Sequence, residues 1–244
     1  MEQVEQDLVI CRALVGLFSH EQLRKLIAFR GGTALHKLHL APAIRYSEDI
    51  DLVQVREGPH GPVIDGIRQV LDGLLGEPHR EWGEGITTLT YRFPAEPPSA
   101  ARLRLKVEFN TREQLAILGT TELPFAVESR WFKGQSQIVS FQINELLATK
   151  MRALYQRRKG RDLFDLWYGI SIGKAQPSVI VDTFRKYMKV EGHQISQKQY
   201  RQNLAAKMKN ARFLGDTADL LRPDVRYDHE QAYQLVDQQV LAML

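Results

Sequence analysis

Two aspartates, Asp49 and Asp51, flank one apolar residue in the run Arg45-Tyr46-Ser47-Glu48-Asp49-Ile50-Asp51-Leu52. On a strand, residues i and i+2 leave from one face about 7 Å apart at Cα, so both carboxylates can reach one or two hard divalent cations. Neighbouring acids repel unless a cation relieves them, which favours a metal site over the plainer reading, an exposed acidic strand edge. Upstream, across a gap of sixteen residues, Gly31-Gly32-Thr33 supplies a complementary element. Glycines let a backbone come close to a phosphate, and a helix starting there offers free N–H donors and positive partial charge. By itself a Gly-Gly pair before a helix is often only a turn.

Three further groups could join this chemistry. Glu108 falls on the polar side of an alternating segment and can complete a two-metal site and help activate an attacking hydroxyl; the alternative is a solvated face with basic neighbours. Lys150 interrupts an apolar helical row of Ile143, Leu147 and Leu154. A lysine there either snorkels to solvent or projects into a cleft between two domains and holds a nucleotide phosphate. Asp162 and Asp165, three apart on the next helix, can pair with Lys150, Arg157, Arg158 or Arg161, or belong to ordinary surface ion pairs. His36 and His39 lack a third ligand at useful spacing. There is no GxSxG elbow around Ser47 and no Walker lysine, so a serine hydrolase and a P-loop ATPase are disfavoured. Trp131, Trp167 and the phenylalanines read as core rather than as base-stacking platforms.

These residues need positioning elements. Leu26–Arg30 reads as a strand, Thr33–Leu40 as a helix after the Gly-Gly turn, Asp49–Val55 as a strand and Val63–Leu75 as a helix stopped by Gly76. Ile86–Phe93 and Arg102–Phe109 read as strands separated by Pro94, Pro97 and Pro98, giving a sheet of about four or five strands. The second is the clearest: Leu103, Leu105, Val107 and Phe109 alternate with Arg102, Arg104, Lys106 and Glu108. After Ser140, segments 143–158, 161–170, 179–190, 197–214 and 230–244 read helical. The expectation is an α/β (α+β) protein, with a catalytic domain over 1–140 and an all-helical basic domain over 141–244 that completes a nucleotide cleft.

The length, 244 residues, suits one large or two small domains. With 43% hydrophobic and 25% charged residues the chain belongs to the ordinary globular class, which excludes collagen-like and wholly disordered proteins. Net charge is only +4, but residues 150–212 carry fifteen Lys and Arg against four Asp and Glu, while residues 1–149 carry sixteen against nineteen. That asymmetry suggests a surface for a polyanion; the bland alternative is a set of solvated helix faces. No apolar run approaches bilayer length, and the start MEQVEQDL is acidic and polar, unlike an export signal, so no membrane partner is expected. The single cysteine, Cys11, cannot form an internal disulfide and fits a reducing cytoplasm.

A strand, Gly-Gly-Thr, helix and an Asp-x-Asp strand form the pattern of the polymerase-β-like nucleotidyltransferase superfamily. More closely, Gly31-Gly32-Thr33-Ala34-Leu35-His36-Lys37, Arg45 to Leu52, Lys106-Val107-Glu108, Ala148-Thr149-Lys150 and Arg161-Asp162-Leu163-Phe164-Asp165-Leu166 resemble the AbiEii-type nucleotidyltransferase toxins of bacterial abortive-infection and toxin–antitoxin systems. The resemblance covers roughly residues 25–170. It departs from the broader superfamily in its third acid, Glu108, where many relatives have Asp.

The resemblance implies a fold with a small mixed sheet followed by an all-helical domain. It implies Asp49, Asp51 and Glu108 as ligands of Mg²⁺ or Mn²⁺, and Gly31, Gly32, Thr33, Lys37, Arg45, Ser47 and Lys150 around the NTP. Lys150 and Asp162 would join the three acids as catalytic members, and Asp165 would be a structural partner. The implied function is nucleotide transfer from an NTP to RNA, tRNA 3′ ends being the acceptor class, with antiviral defence as its setting and neutralisation by a cognate antitoxin. Two rivals stand beside it: transfer to a protein or small-molecule hydroxyl, and a non-catalytic nucleotide- or RNA-binding regulator.

Overall fold

The computed structural model describes residues 2–244, which form two compact units. The first comprises the chain up to His39, Tyr46–Ala116 and Thr120–Phe141; the second comprises Leu40–Arg45, Ile117–Gly119 and Gln142–Leu244. Two short excursions therefore leave the first unit before the chain passes to the second for good.

The first unit is built on a seven-stranded mixed sheet. Its strands are β1 (Ile27–Arg30), β2 (Asp49–Gln54), β3 (His79–Gly83), β4 (Ile86–Pro94), β5 (Arg102–Asn110), β6 (Thr120–Glu128) and β7 (Lys133–Phe141), in the spatial order β3-β4-β5-β2-β1-β7-β6. β2 runs antiparallel to β1 and parallel to β5, and β1 runs parallel to β7. β5 alternates as its sequence requires, with Leu103, Leu105, Val107 and Phe109 buried. The sheet exceeds the expected four or five strands by β3, β6 and β7.

Helix α1 (Glu2–Ser19) covers one face of this sheet through Ile10, Leu14, Leu17 and Phe18, all fully buried. The spacing 10, 14, 17, 18 is that of one helical stripe. After β1 the chain makes one α-helical turn, α2 (Gly31–Ala34), and continues as a π-helical turn over Leu35–His39, where a single helix over 33–40 was expected. Helix α3 (Gly61–Leu75) buries Val63, Ile64, Ile67, Leu71 and Leu75 and ends at Gly76, whose φ of 79° suits glycine.

The second unit is helical: α4 (Ile143–Gln156), α5 (Gly160–Ser171), α6 (Pro177–Val190), α7 (Gln197–Met208), α8 (Ala211–Leu214) and α9 (His229–Gln239). The expected continuous helix over 197–214 breaks at Lys209 and Asn210 because the Asn210 side chain accepts the Phe213 N–H and starts α8. Glu145, fully buried on α4, accepts the N–H groups of Ile117 and Leu118 and the hydroxyl of Tyr187, which ties the 117–119 excursion to this unit. Among the described residues no helix is long and apolar enough to cross a membrane.

Candidate active site

In the first unit the glycine turn and the acidic strand meet directly. Gly31 has φ +79°, a conformation that L side chains avoid, and a Cβ placed on it would collide with Asp51 Oδ2. Glycine here lets the Asp51 carboxylate lie against the backbone of the turn. Thr33, nearly fully buried, donates its hydroxyl to the Asp49 carbonyl at 2.7 Å and fixes the start of β2 to α2. Gly-Gly-Thr is thus in part a clamp on the aspartates.

The parallel register sets Asp49 opposite Lys106 and Asp51 opposite Glu108. Three carboxylates and one ammonium therefore share a face of β2 and β5. Glu108 is ion-paired with Lys106 in this arrangement. Burial pushes the Asp49 carboxyl above its ordinary range; Lys106 opposes the rise, and Glu108 and Glu48 add to it. Asp49 Oδ1 is buried and meets no hydrogen-bond donor. A buried carboxylate oxygen without a donor, on the strand face that also carries Asp51, has the chemistry of a cation ligand, so Asp49 and Asp51 fit a hard divalent metal. The expected cluster of three ligands is not assembled. Among the described residues no group of three His, Cys, Asp or Glu is gathered to hold a metal, Glu108 being drawn onto Lys106.

In the second unit, α4 and α5 carry a buried ion network. Lys150 approaches Asp162 Oδ1 at 3.2 Å and Asp165 Oδ2 at 2.9 Å. Arg157 grips Asp162 with two hydrogen bonds of 2.7 and 2.8 Å, and Arg45 grips Asp165 with two of 2.8 and 3.0 Å. Burial raises the Asp162 carboxyl, but Lys150 and Arg157 outweigh it and hold the group below its ordinary range. Arg45 is anchored further, since it bridges Leu221 and the carbonyl of Ile44 accepts the Arg222 N–H at 3.0 Å. At the end of α4, Lys207 donates to the carbonyls of Leu154 and Tyr155. Burial pulls this lysine down to about 8.

Two expectations, for Lys37 and Arg45, are corrected by this geometry, and one of the two alternatives for Lys150 is removed. Lys37 is not presented to a phosphate: its ammonium is buried against Asp7 Oδ1 at 2.7 Å and Cys11 Sγ at 3.1 Å, both on α1. Arg45 likewise spends its guanidinium on Asp165. Lys150 neither snorkels nor stands free, since two of its three donors meet buried carboxylates. Ser47 lies two residues before Asp49, half-buried, and His39 Nε2 contacts the Phe141 carbonyl at 2.9 Å. Sequence reasoning offered Arg157 only as one of several candidate partners of Asp162, which the structure selects, and assigned no role to Lys106, whose signal was its alternation with Glu108.

A family model described as nucleotidyl transferase AbiEii toxin, type IV TA system, matches residues 12–235. The chain belongs to the AbiEii family. It is a nucleotidyltransferase of this toxin family, with the motifs of turn, acidic strand and helical lysine all inside the match. Solved structures similar to this AbiEii chain include JHP933 from Helicobacter pylori, at 16% identity and a TM-score of 0.62, covering 99% of this chain and 91% of that one. A putative nucleotidyltransferase from H. pylori gives 17% identity and 0.58, covering 99% and 97%. MenT4, a nucleotidyltransferase toxin from Mycobacterium tuberculosis, gives 17% and 0.60, covering 100% and 85%. At such identities the likeness is one of fold. No curated protein sequence matches the AbiEii chain.

Proposed function

We propose that this toxin-family nucleotidyltransferase moves a nucleotide from an NTP to a hydroxyl of RNA, a tRNA 3′ end being the acceptor class, in a Mg²⁺-dependent reaction, and that a cognate antitoxin neutralises it. The observation that carries the reading is the pair Asp49 and Asp51, with the orphaned Asp49 Oδ1 and the Gly31 backbone against Asp51. The basic excess over residues 150–212 supports a polyanionic acceptor.

In this reaction the acceptor oxygen attacks the α-phosphorus in line, forming a new P–O bond as the bond to the β-phosphate oxygen breaks and pyrophosphate leaves. Asp49 and Asp51 would hold the metal, which would supply positive charge to offset the negative charge that develops in the transfer. Gly31 and Gly32 give the triphosphate a backbone it can approach without a side chain in the way. Glu108, once parted from Lys106, takes the proton of the attacking hydroxyl. Lys150, fixed by two carboxylates, keeps one N–H for a phosphate oxygen, and Asp162 fixes that lysine.

The test incubates purified protein with each labelled NTP, Mg²⁺ and total cellular RNA, and in parallel with total cellular protein. Label is expected in RNA, reduced on the order of 10²-fold or more by Asp49→Asn or Asp51→Asn with the fold retained in circular dichroism. Label in protein would move the reading to a protein acceptor, and label in neither to a binding regulator.

A further inference from the structure

Lys106 is the cation that β5 sets beside Asp49 and Glu108 on the acidic face; Arg30 of β1 stands opposite Asp51 and is ion-paired with Glu113. Lys106 stands opposite Asp49 in the β2–β5 register, two residues before Glu108 on the same side of β5, and its ammonium is ion-paired with Glu108. Asp51 completes the square from β2. We infer that Lys106 is a built-in counter-cation that holds the acidic face together without metal, and that it competes with the divalent cation for the carboxylates, so that loading the site requires Lys106 to release Glu108. The inference rests on the metal-binding reading of Asp49 and Asp51 given above.

The electrostatics agree with the geometry. Burial alone would pull the Lys106 ammonium down, yet Glu108, Asp49 and Asp51 together hold it above its ordinary range. The same lysine opposes the rise of the Asp49 carboxyl. A charge that stabilises three carboxylates at once is a charge that a metal must displace or sit beside. Glu108 has its partner in Lys106, whereas Asp49 Oδ1 meets no donor, so that oxygen is left for a cation. An NTP, arriving with its own negative charge, offers the displaced ammonium a new partner in a phosphate oxygen. Metal and nucleotide then load together, because each removes the obstacle to the other.

The test measures binding of Mn²⁺ alone to the full-length protein by calorimetry, and thermal unfolding with and without Mn²⁺, for wild type, Lys106→Met, Lys106→Arg and Asp49→Asn. Lys106→Met keeps the length of the side chain and removes the charge. It is expected to bind Mn²⁺ about tenfold or more tightly than wild type, and to melt a few degrees lower in metal-free buffer while recovering in Mn²⁺. Lys106→Arg is expected to retain wild-type affinity. Equal or weaker Mn²⁺ binding by Lys106→Met, while wild type binds and Asp49→Asn does not, overturns the role of Lys106 alone. Absence of Mn²⁺ binding in every chain, or binding that Asp49→Asn leaves unchanged, overturns the metal-site reading and this inference with it.

Discussion

Lys150 on α4 and Asp165 on α5 meet at 2.9 Å with the carboxylate fully buried and the ammonium nearly so. The same ammonium reaches Asp162 at 3.2 Å, so one lysine compensates two buried acids that Arg157 and Arg45 hold from their other sides. Removing one member of such a group leaves charge stranded in a low dielectric, a loss that typically costs about 3–5 kcal/mol. Lys150→Met should therefore lower the melting temperature by roughly 10 °C, measured by calorimetry. A melting temperature unchanged or raised would show that the lysine is a replaceable interruption of an apolar row.

Acid should undo the same network. Because Lys150 and Arg157 hold Asp162 below the ordinary carboxylate range despite its burial, the unfolded chain binds a proton there that the folded one refuses. The stability from Asp162 is then fully present above the unfolded value and is lost as pH falls through the folded one. Urea unfolding of wild type against Asp162→Asn should show a gap at neutral pH that narrows steadily below about pH 4. A gap independent of pH would assign the difference to packing.

How much of this was legible beforehand follows from how far each partner lies along the chain. Asp49 and Asp51 share a face because of strand period alone, and β5 announced itself through four apolar residues alternating with four charged ones. Other elements gave weaker signals. β3 and β6 are the two edges of the sheet, so neither needs a strongly apolar face, and β6 carries Pro124, which an edge tolerates and a central strand does not. β7 begins Lys133-Gly134-Gln135-Ser136-Gln137 and turns apolar only at its end. α1 was not expected, although it carries an apolar stripe, because it opens with an acidic, polar turn. Arg45 and Asp165 are 120 residues apart, and no local pattern says that a basic residue beside an acidic motif turns toward a distant helix. That is why Arg45 and Lys37 read as phosphate ligands.

Gly31 offers a test confined to one methyl group. Alanine there must hold a left-handed conformation, which costs roughly 1–2 kcal/mol, and must also push the Asp51 carboxylate away. Gly31→Ala should lower stability and cut transfer sharply. Gly73, exposed within α3 and with open space around it, is the matched control, where alanine should add about 0.5–1 kcal/mol and leave transfer unchanged. Thermal melts and turnover on the two variants check this, and full activity in Gly31→Ala would mean that Asp51 is not held by the turn.

The basic excess of the helical unit is a weaker signal for an acceptor than its count suggests, because several of its members are already spent. Arg157 belongs to Asp162, Lys159 and Arg161 both lie near Asp216 at 3.5 Å, and Lys207 caps α4. What stays exposed includes Lys186 and Lys189 on α6, three apart and hence on one side of a helix whose other side buries Ile180, Val181, Phe184 and Met188. If this face holds RNA, each lost phosphate contact should flatten the slope of log affinity against log salt by about 0.7, the value for single strands. The double change Lys186→Glu and Lys189→Glu should then weaken RNA binding several-fold or more and reduce the slope by about 1.4, with NTP affinity unchanged. Fluorescence anisotropy of a labelled RNA across a salt series measures both quantities. Identical affinity and slope in the double variant would make α6 a solvated face and turn attention to a protein or small-molecule hydroxyl as the acceptor, since neither needs a long track of positive charge.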